Sequence, residues 1–238
     1  MKTTAPRRTR MDTIEADARP MLTPLLLPSP LPNQRPEPWL RGPRLALREF
    51  WGEDLMDLVA MHQEPRLRAW LLDDAALDQG MVAWRFLHNI QALYRQHEGL
   101  GIWHASTPQA EPGLTPRFIG WFNLMPLPAR GPEAVELGSR LLPSAWGGAL
   151  ALEGGELLLR HAFEGLGLAR VWATCHPDNR SARACLAALG FAEQGLDAYE
   201  GQTAVYAQLE RSAWQDSLAL SPRARRARGL RAHREGRA

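Results

Sequence analysis

The spacing of apolar positions along this 238-residue chain changes several times, and each change predicts an element. In Arg44–Phe50, Leu45 and Leu47 alternate with Arg44, Ala46 and Arg48, which suits a first strand. From Glu53 to Gln63 the period lengthens. Leu55, Leu58, Val59 and His62 recur at helical spacing. A longer helix is expected over Ala75–His97, carried by Leu77, Met81, Trp84, Phe86, Leu87, Ile90 and Leu93 and stopped by Gly99. A short strand at 101–107 leads into a loop over 107–116, which holds three prolines and Gly113. Strands at 117–127 and 132–142 then pair antiparallel across the turn between them. A helix over Ala149–Gly165, a strand over Ala169–Cys175 and a helix over Ser181–Leu189 follow. A final hairpin joins Phe191–Tyr199 to Thr203–Leu209. The expected architecture is α/β of the α+β kind: about four helices flanking a central mixed sheet of six to seven strands, most of them antiparallel.

The ends break this periodicity. Pro20, Pro24, Pro28, Pro30, Pro32, Pro36 and Pro38 forbid a continuous helix or central strand, so 1–43 reads as a flexible N-terminal segment. The folded domain is expected over 44–212. The last stretch, 213–238, reads as an Arg-rich tail with no apolar face to hold it down.

Charge is divided in the same way. Residues 1–44 hold eight basic and four acidic groups, and 221–238 hold seven arginines and one glutamate. Residues 45–220 carry 13 basic and 21 acidic groups. The body therefore favours a cationic partner, and the basic ends suit weak contact with RNA or a ribosome. Cys175 and Cys185 are too few for a disulfide framework and read as reduced, buried thiols. No apolar run has the length a membrane span requires, and Met21–Pro28 is broken by Pro24. A cytoplasmic protein is expected. The histidines show no metal-ligand spacing, so no metal is expected.

The chemistry concentrates in Val135–Phe191. A strand runs into Trp146-Gly147-Gly148, a helix opens, a second strand follows, and Asn179 starts a further helix ending in Leu189-Gly190-Phe191. Glycines keep side chains away from the turn, and the helix start presents free N–H groups and a positive dipole end. A diphosphate fits such a start without a neighbouring cation.

This region resembles the GCN5-related N-acetyltransferases (the GNAT family), in particular the branch that includes ribosomal-protein alanine acetyltransferases. Glu136-Leu137-Gly138 match the family's strand pattern, and Trp146-Gly147, Ala151 and Glu153 match its turn and helix. Asn179, Ala182 and Leu189-Gly190-Phe191 follow at the family's spacings, and Phe118-Ile119-Gly120 also fits. The resemblance covers roughly 44–210, and because members of that family are often monomers or dimers it implies a monomer or homodimer. It implies splayed fourth and fifth strands with the pantetheine arm of acetyl-CoA between them. Main chain at Leu141 and Leu142 would pair with that arm. Trp146, Gly147, Gly148, Ala149, Leu150, Ala151 and Leu152 would surround the diphosphate, with Asn179 and Ala182 nearby. A backbone N–H on the splayed strand would polarise the thioester carbonyl, and Glu136 would take the acceptor's proton, directly or through water.

Three positions depart from the family pattern. Ala149 replaces the central glycine of the turn, Ser139-Arg140 replace an aromatic pair, and Leu186 stands where relatives carry a tyrosine acid. Tyr199 and Ser139 are the remaining candidate acids. The implied activity is acetyl-CoA-dependent N-acetylation of a primary amine, either a protein N-terminus or a small cationic amine, by direct transfer in a ternary complex. The alternative is a domain that binds acyl-CoA or a protein or ribosomal partner with little or no turnover.

Overall fold

The computed structural model of the chain describes residues 31–73, 75–108 and 116–235. Most of the proline-rich lead-in, including Met21–Pro28, lies outside the described residues, as do 109–115 of the loop expected after the third strand. Eight strands form one sheet: β1 (Leu40–Arg41), β2 (Ala46–Glu49), β3 (Gly101–Ser106), β4 (Phe118–Pro126), β5 (Val135–Leu141), β6 (Arg170–Cys175), β7 (Ala192–Tyr199) and β8 (Gln202–Glu210). Their spatial order is β1-β2-β3-β4-β5-β6-β8-β7. Every pairing is antiparallel except β5 with β6, which run parallel and meet at a single rung, Glu136 opposite Trp172. The sheet thus opens between β5 and β6.

Both faces are covered. Helices α1 (Leu55–His62), α2 (Pro65–Arg68) and α3 (Gly80–Gln96) lie over one face, where Phe50, Leu58, Met61, Leu87, Ile90 and Trp121 form a buried cluster. Helix α4 (Leu150–Arg160) and the π turn His161–Gly165 cover the other, burying Leu45, Phe122, Leu137, Leu158, Phe163 and Val171. Helix α5 (Arg180–Leu189) starts at Asn179, whose side-chain oxygen accepts from the Ala182 N–H at 3.0 Å. Gly190 ends it in a left-handed conformation, φ 100°.

Three expectations need correction. The sheet starts before Arg44: β1 pairs with β2, and Trp39 stacks on Trp103 with ring centroids 4.8 Å apart. Aromatic stacking is invisible to a periodicity count, whereas the prolines around Trp39 are plain in the sequence. The helix expected from Ala75 begins at Gly80, because the Leu77 N–H instead bonds the Ala75 carbonyl in a turn. The C-terminal stretch is not a loose tail. Helix α6 (Arg211–Leu218) buries Trp214 against Phe163, ring centroids 5.1 Å apart. Helix α7 (Pro222–Glu235) crosses α5 so closely that a Cβ on Gly229 would overlap the Ala187 carbonyl. A glycine-mediated backbone contact and Arg226 bound to Glu156 at 3.2 Å hold α7 where an apolar face would ordinarily do so. No helix among the described residues is long and apolar enough to cross a membrane.

Candidate active site

The opening between β5 and β6 follows from ladder geometry. In an antiparallel pair, opposite residues alternate between exchanging hydrogen bonds and not. The Leu127 N–H bonds the Ala134 carbonyl at 2.7 Å, and the Leu142 N–H bonds the Ile119 carbonyl at 2.9 Å, both across β4 and β5. Residues 136, 138 and 140 therefore spend their main-chain groups on β4, as do the Ala134 carbonyl and the Leu142 N–H. Those of Leu137, Ser139 and Leu141 point toward β6. Pairing with β6 is confined to the Glu136–Trp172 rung, so the Ser139 and Leu141 amides face the gap. The Leu141 carbonyl, also on that side, accepts from the Trp146 indole Nε1 at 2.8 Å. Both main-chain groups of Leu142 are taken, its N–H by Ile119 and its carbonyl by the Ala145 N–H at 2.8 Å.

At the end of the gap the chain turns through Trp146–Ala149 into α4. A Cβ on Gly147 or Gly148 would meet nothing within 4 Å, so the turn looks onto open space. Ala149, the residue before α4, sits at φ 60° and ψ 20°. An L-residue in that left-handed region is strained by about 1–2 kcal/mol relative to the right-handed one. The turn is braced from behind. Arg44 donates from Nη1 to the Gly148 carbonyl at 2.6 Å and from Nε to Glu153 at 2.7 Å, while its own N–H bonds the other Glu153 oxygen at 2.8 Å. Sequence reading missed this brace. Its only signal was Glu153, a carboxylate in the first turn of a helix.

Side chains on β5 alternate between faces. Glu136 and Arg140 lie on the face carrying α1–α3, and Leu137, Ser139 and Leu141 on the face carrying α4. Glu136 is 5% exposed. It accepts from the Thr174 hydroxyl on β6 and, at 3.1 Å, from the Tyr199 hydroxyl at the end of β7. Burial pushes the Glu136 carboxyl above the ordinary carboxylate range, and the two hydroxyls oppose that shift by favouring the charged form. Burial and the nearby carboxylate both push the Tyr199 phenol upward, so Tyr199 stays protonated. The other two tyrosines are committed to main chain, Tyr94 to Ile102 and Tyr206 to Ala198. The structure thus joins Glu136 and Tyr199 and sets the exposed Ser139 side chain on the opposite face. Thr174 was not anticipated; its place in the alternation of β6, beside the gap, was the available clue.

Beyond Glu136 on the same face, Arg140 bonds Asp73 and His62 Nε2, the latter at 3.1 Å, and lies 4.9 Å from the Trp121 ring centroid. His62 also bonds the Leu58 carbonyl through Nδ1 at 2.8 Å. With one nitrogen donating and the other accepting, the ring is neutral, and burial followed by the Arg140 charge lowers its pKa to about 4. The segment around α2 spans the mouth of the gap. Arg66 lies 6.0 Å from the Trp146 ring centroid on one side, and Trp70 meets His176 edge-on at 5.9 Å on the other. Trp70 is 40% exposed at this mouth, whereas Trp103 and Trp121 are core residues. His104 is buried between Phe50 and Phe118. Its ring and the carboxylates of Asp54 and Asp57 form a cluster with ligand atoms within 4.8 Å, but Arg48 binds both Asp54 oxygens at 2.7 Å and supplies the cationic charge there. Cys175 and Cys185 are free thiols, pushed up by burial to about 12 and about 11.

Comparison with known proteins gives the family and the fold. A family model for the acetyltransferase (GNAT) domain matches residues 44–192. The FsC-acetyl coenzyme A-N(2)-transacetylase of Aspergillus fumigatus is 38% identical over 79 residues, 31% of this chain and 34% of that protein. The chain thus spans about a third of that relative's length. Among solved structures, the ribosomal-protein-S5-alanine acetyltransferase of Vibrio fischeri superposes with a TM-score of 0.58 at 16% identity, covering 74% of this chain and 97% of that one. An acetyltransferase of Agrobacterium tumefaciens str. C58 gives 0.58 at 20% identity, covering 76% and 99%. A GCN5-related N-acetyltransferase of Brucella melitensis gives 0.57 at 17%, covering 78% and 84%. At these identities the solved structures speak to the fold.

Proposed function

The chain belongs to the GNAT acetyltransferases, and on that premise we propose that it transfers the acetyl group of acetyl-CoA directly to a primary amine held in the gap between β5 and β6. The observation that carries this reading is the single β5–β6 rung, beyond which two amides look across an opening that ends at a glycine turn and a helix start.

The residues present fit the coenzyme. The turn at Gly147–Gly148 has open space in front of it, and the first amides of α4 and its dipole end suit a diphosphate. The Leu141 N–H offers the pantetheine arm a strand-like partner. Its carbonyl does so once the Trp146 indole turns away. Leu142, whose main-chain groups are both engaged, contributes through its position rather than through a hydrogen bond. Asn179 acts by starting α5.

The Ser139 N–H faces the place where charge develops on the thioester oxygen, and a fixed amide there stabilises that charge without reorganising. Glu136 removes the proton from the acceptor amine, directly or through water, as nitrogen bonds to the carbonyl carbon. The C–S bond then breaks. Tyr199 gives its proton to the departing thiolate and regains one from Glu136 along their hydrogen bond, so the net movement is one proton from amine to thiol. Thr174 holds Glu136 in place.

The acceptor is a protein N-terminus or a small cationic amine, drawn by the acidic body of the chain. The reading is tested by thiol release from acetyl-CoA against a panel of amines and peptide N-termini. Release with at least one acceptor is expected. Glu136→Gln should lower kcat by about 100-fold or more while acetyl-CoA affinity is retained. Thermal stabilisation by acetyl-CoA with no thiol release across the panel, or an unaffected Glu136→Gln rate, overturns the proposal.

A further inference from the structure

Helix α7 lies beyond the residues matched by the family model, and its two faces differ sharply. The inner face is occupied. Arg226 bonds Glu156 at 3.2 Å, Arg225 lies 4.0 Å from the same carboxylate, His233 meets Glu193 at 3.3 Å, and Gly229 presses on Ala187. The outer face carries Arg223, Arg228, Arg231 and Arg234, all exposed and none ion-paired among the described residues. Within α7 the one acidic residue is Glu235, also exposed. These four arginines stretch over about 16 Å of helix, a length along which one strand of a duplex presents about five phosphates.

This arrangement opposes the helix that bears it. Arg228 and Arg231, and Arg231 and Arg234, stand three residues apart, where like charges repel. The intrinsic length of α7 and its lack of an apolar stripe give it little independent helicity. A polyanion laid along the outer face removes the repulsion. A membrane surface is a poor match, because the small side chains between the arginines, Ala227 and Ala232, offer no apolar anchor for the headgroup boundary. No aromatic or amide side chain on this face is placed to read a base.

We propose that the outer face of α7 binds the phosphodiester backbone of nucleic acid without sequence preference, independently of the acetyl-transfer site. The test is fluorescence anisotropy of a labelled 20-nucleotide RNA and its DNA counterpart against the full chain between 50 and 200 mM salt. Binding to both is expected, with a log K against log salt slope of about −2.8 for four contacts to a single strand, a roughly fiftyfold loss across that range. R223Q/R228Q/R231Q/R234Q should abolish the salt-dependent binding, and R228Q/R231Q should halve the slope even if the quadruple variant folds poorly. Acetyl transfer to a small amine stays unchanged in both variants, so failure here is separable from failure of the transferase reading. No binding at 50 mM salt, an unchanged slope in R228Q/R231Q, or binding to phosphatidylserine vesicles in place of oligonucleotide overturns the proposal.

Discussion

Arg44 and Glu153, 109 residues apart in sequence, are joined by two hydrogen bonds, and the same guanidinium holds the Gly148 carbonyl at 2.6 Å. The first residue of the matched family region thereby fixes the turn that heads α4. Half of the Arg44 side chain is exposed, which discounts its electrostatic worth. Arg44→Gln should therefore weaken acetyl-CoA binding by roughly tenfold, the scale of one charge-assisted hydrogen bond partly screened by solvent, and leave kcat near its original value. Calorimetric titration together with steady-state kinetics separates the two effects.

Ala149 occupies a left-handed conformation at a position with no side-chain cap. Glycine adopts that conformation freely. Ala149→Gly should raise stability by about 1 kcal/mol, a Tm increase of roughly 2–4 °C for a chain of this size. Removing the methyl from the turn should also tighten acetyl-CoA binding. Thermal unfolding with and without acetyl-CoA checks both effects.

The two roles of Ser139 can be separated. Its side chain lies on the opposite face of β5 from Glu136, so Ser139→Ala should keep kcat within about twofold. Ser139→Pro removes an amide that faces the gap rather than the β4 ladder, and also fixes φ at about −65°. That substitution should lower kcat by about 100-fold or more with little change in acetyl-CoA affinity. The comparison of kcat with coenzyme Kd distinguishes a lost donor from a distorted site.

Rate and stability should respond to pH in different ways. With its pKa raised by burial, Glu136 should give an acid limb of kcat/KM lying above the ordinary value of 4.5. The Tyr199 hydrogen bond favours the charged form, so Tyr199→Phe should move that limb to still higher pH while lowering kcat. His62 adds a pH dependence to stability. Its folded pKa of about 4 lies below the unfolded 6.5, so its contribution is complete above pH 6.5 and is lost as pH falls toward 4. Across that window it amounts to something on the order of 2–3 kcal/mol. Chemical denaturation at several pH values should show a shallower decline in His62→Gln than in the parent chain.

The elements with strong periodicity were legible in the sequence: β2 through β6, α4, α5 and the β7–β8 hairpin all occur close to their expected bounds. The glycine turn and the joined pair Glu136 and Tyr199 were also among the expected site residues. What sequence concealed depends on long-range contacts. Trp39 stacks on Trp103 from within a proline-rich stretch, and α7 is held by Gly229 and Glu156 rather than by an apolar stripe. Arg44 and Thr174 meet their partners only after the sheet assembles. No local pattern carries such information, because each contact joins segments whose spacing is set by the fold.

Diffraction from crystals of the acetyl-CoA complex tests the central claim most directly. The account predicts the thioester oxygen within about 3 Å of the Ser139 nitrogen, a hydrogen-bonding distance, the pantetheine arm between β5 and β6, and diphosphate oxygens on the amides that open α4. A coenzyme bound away from that gap, or a gap left empty at millimolar acetyl-CoA, would contradict it.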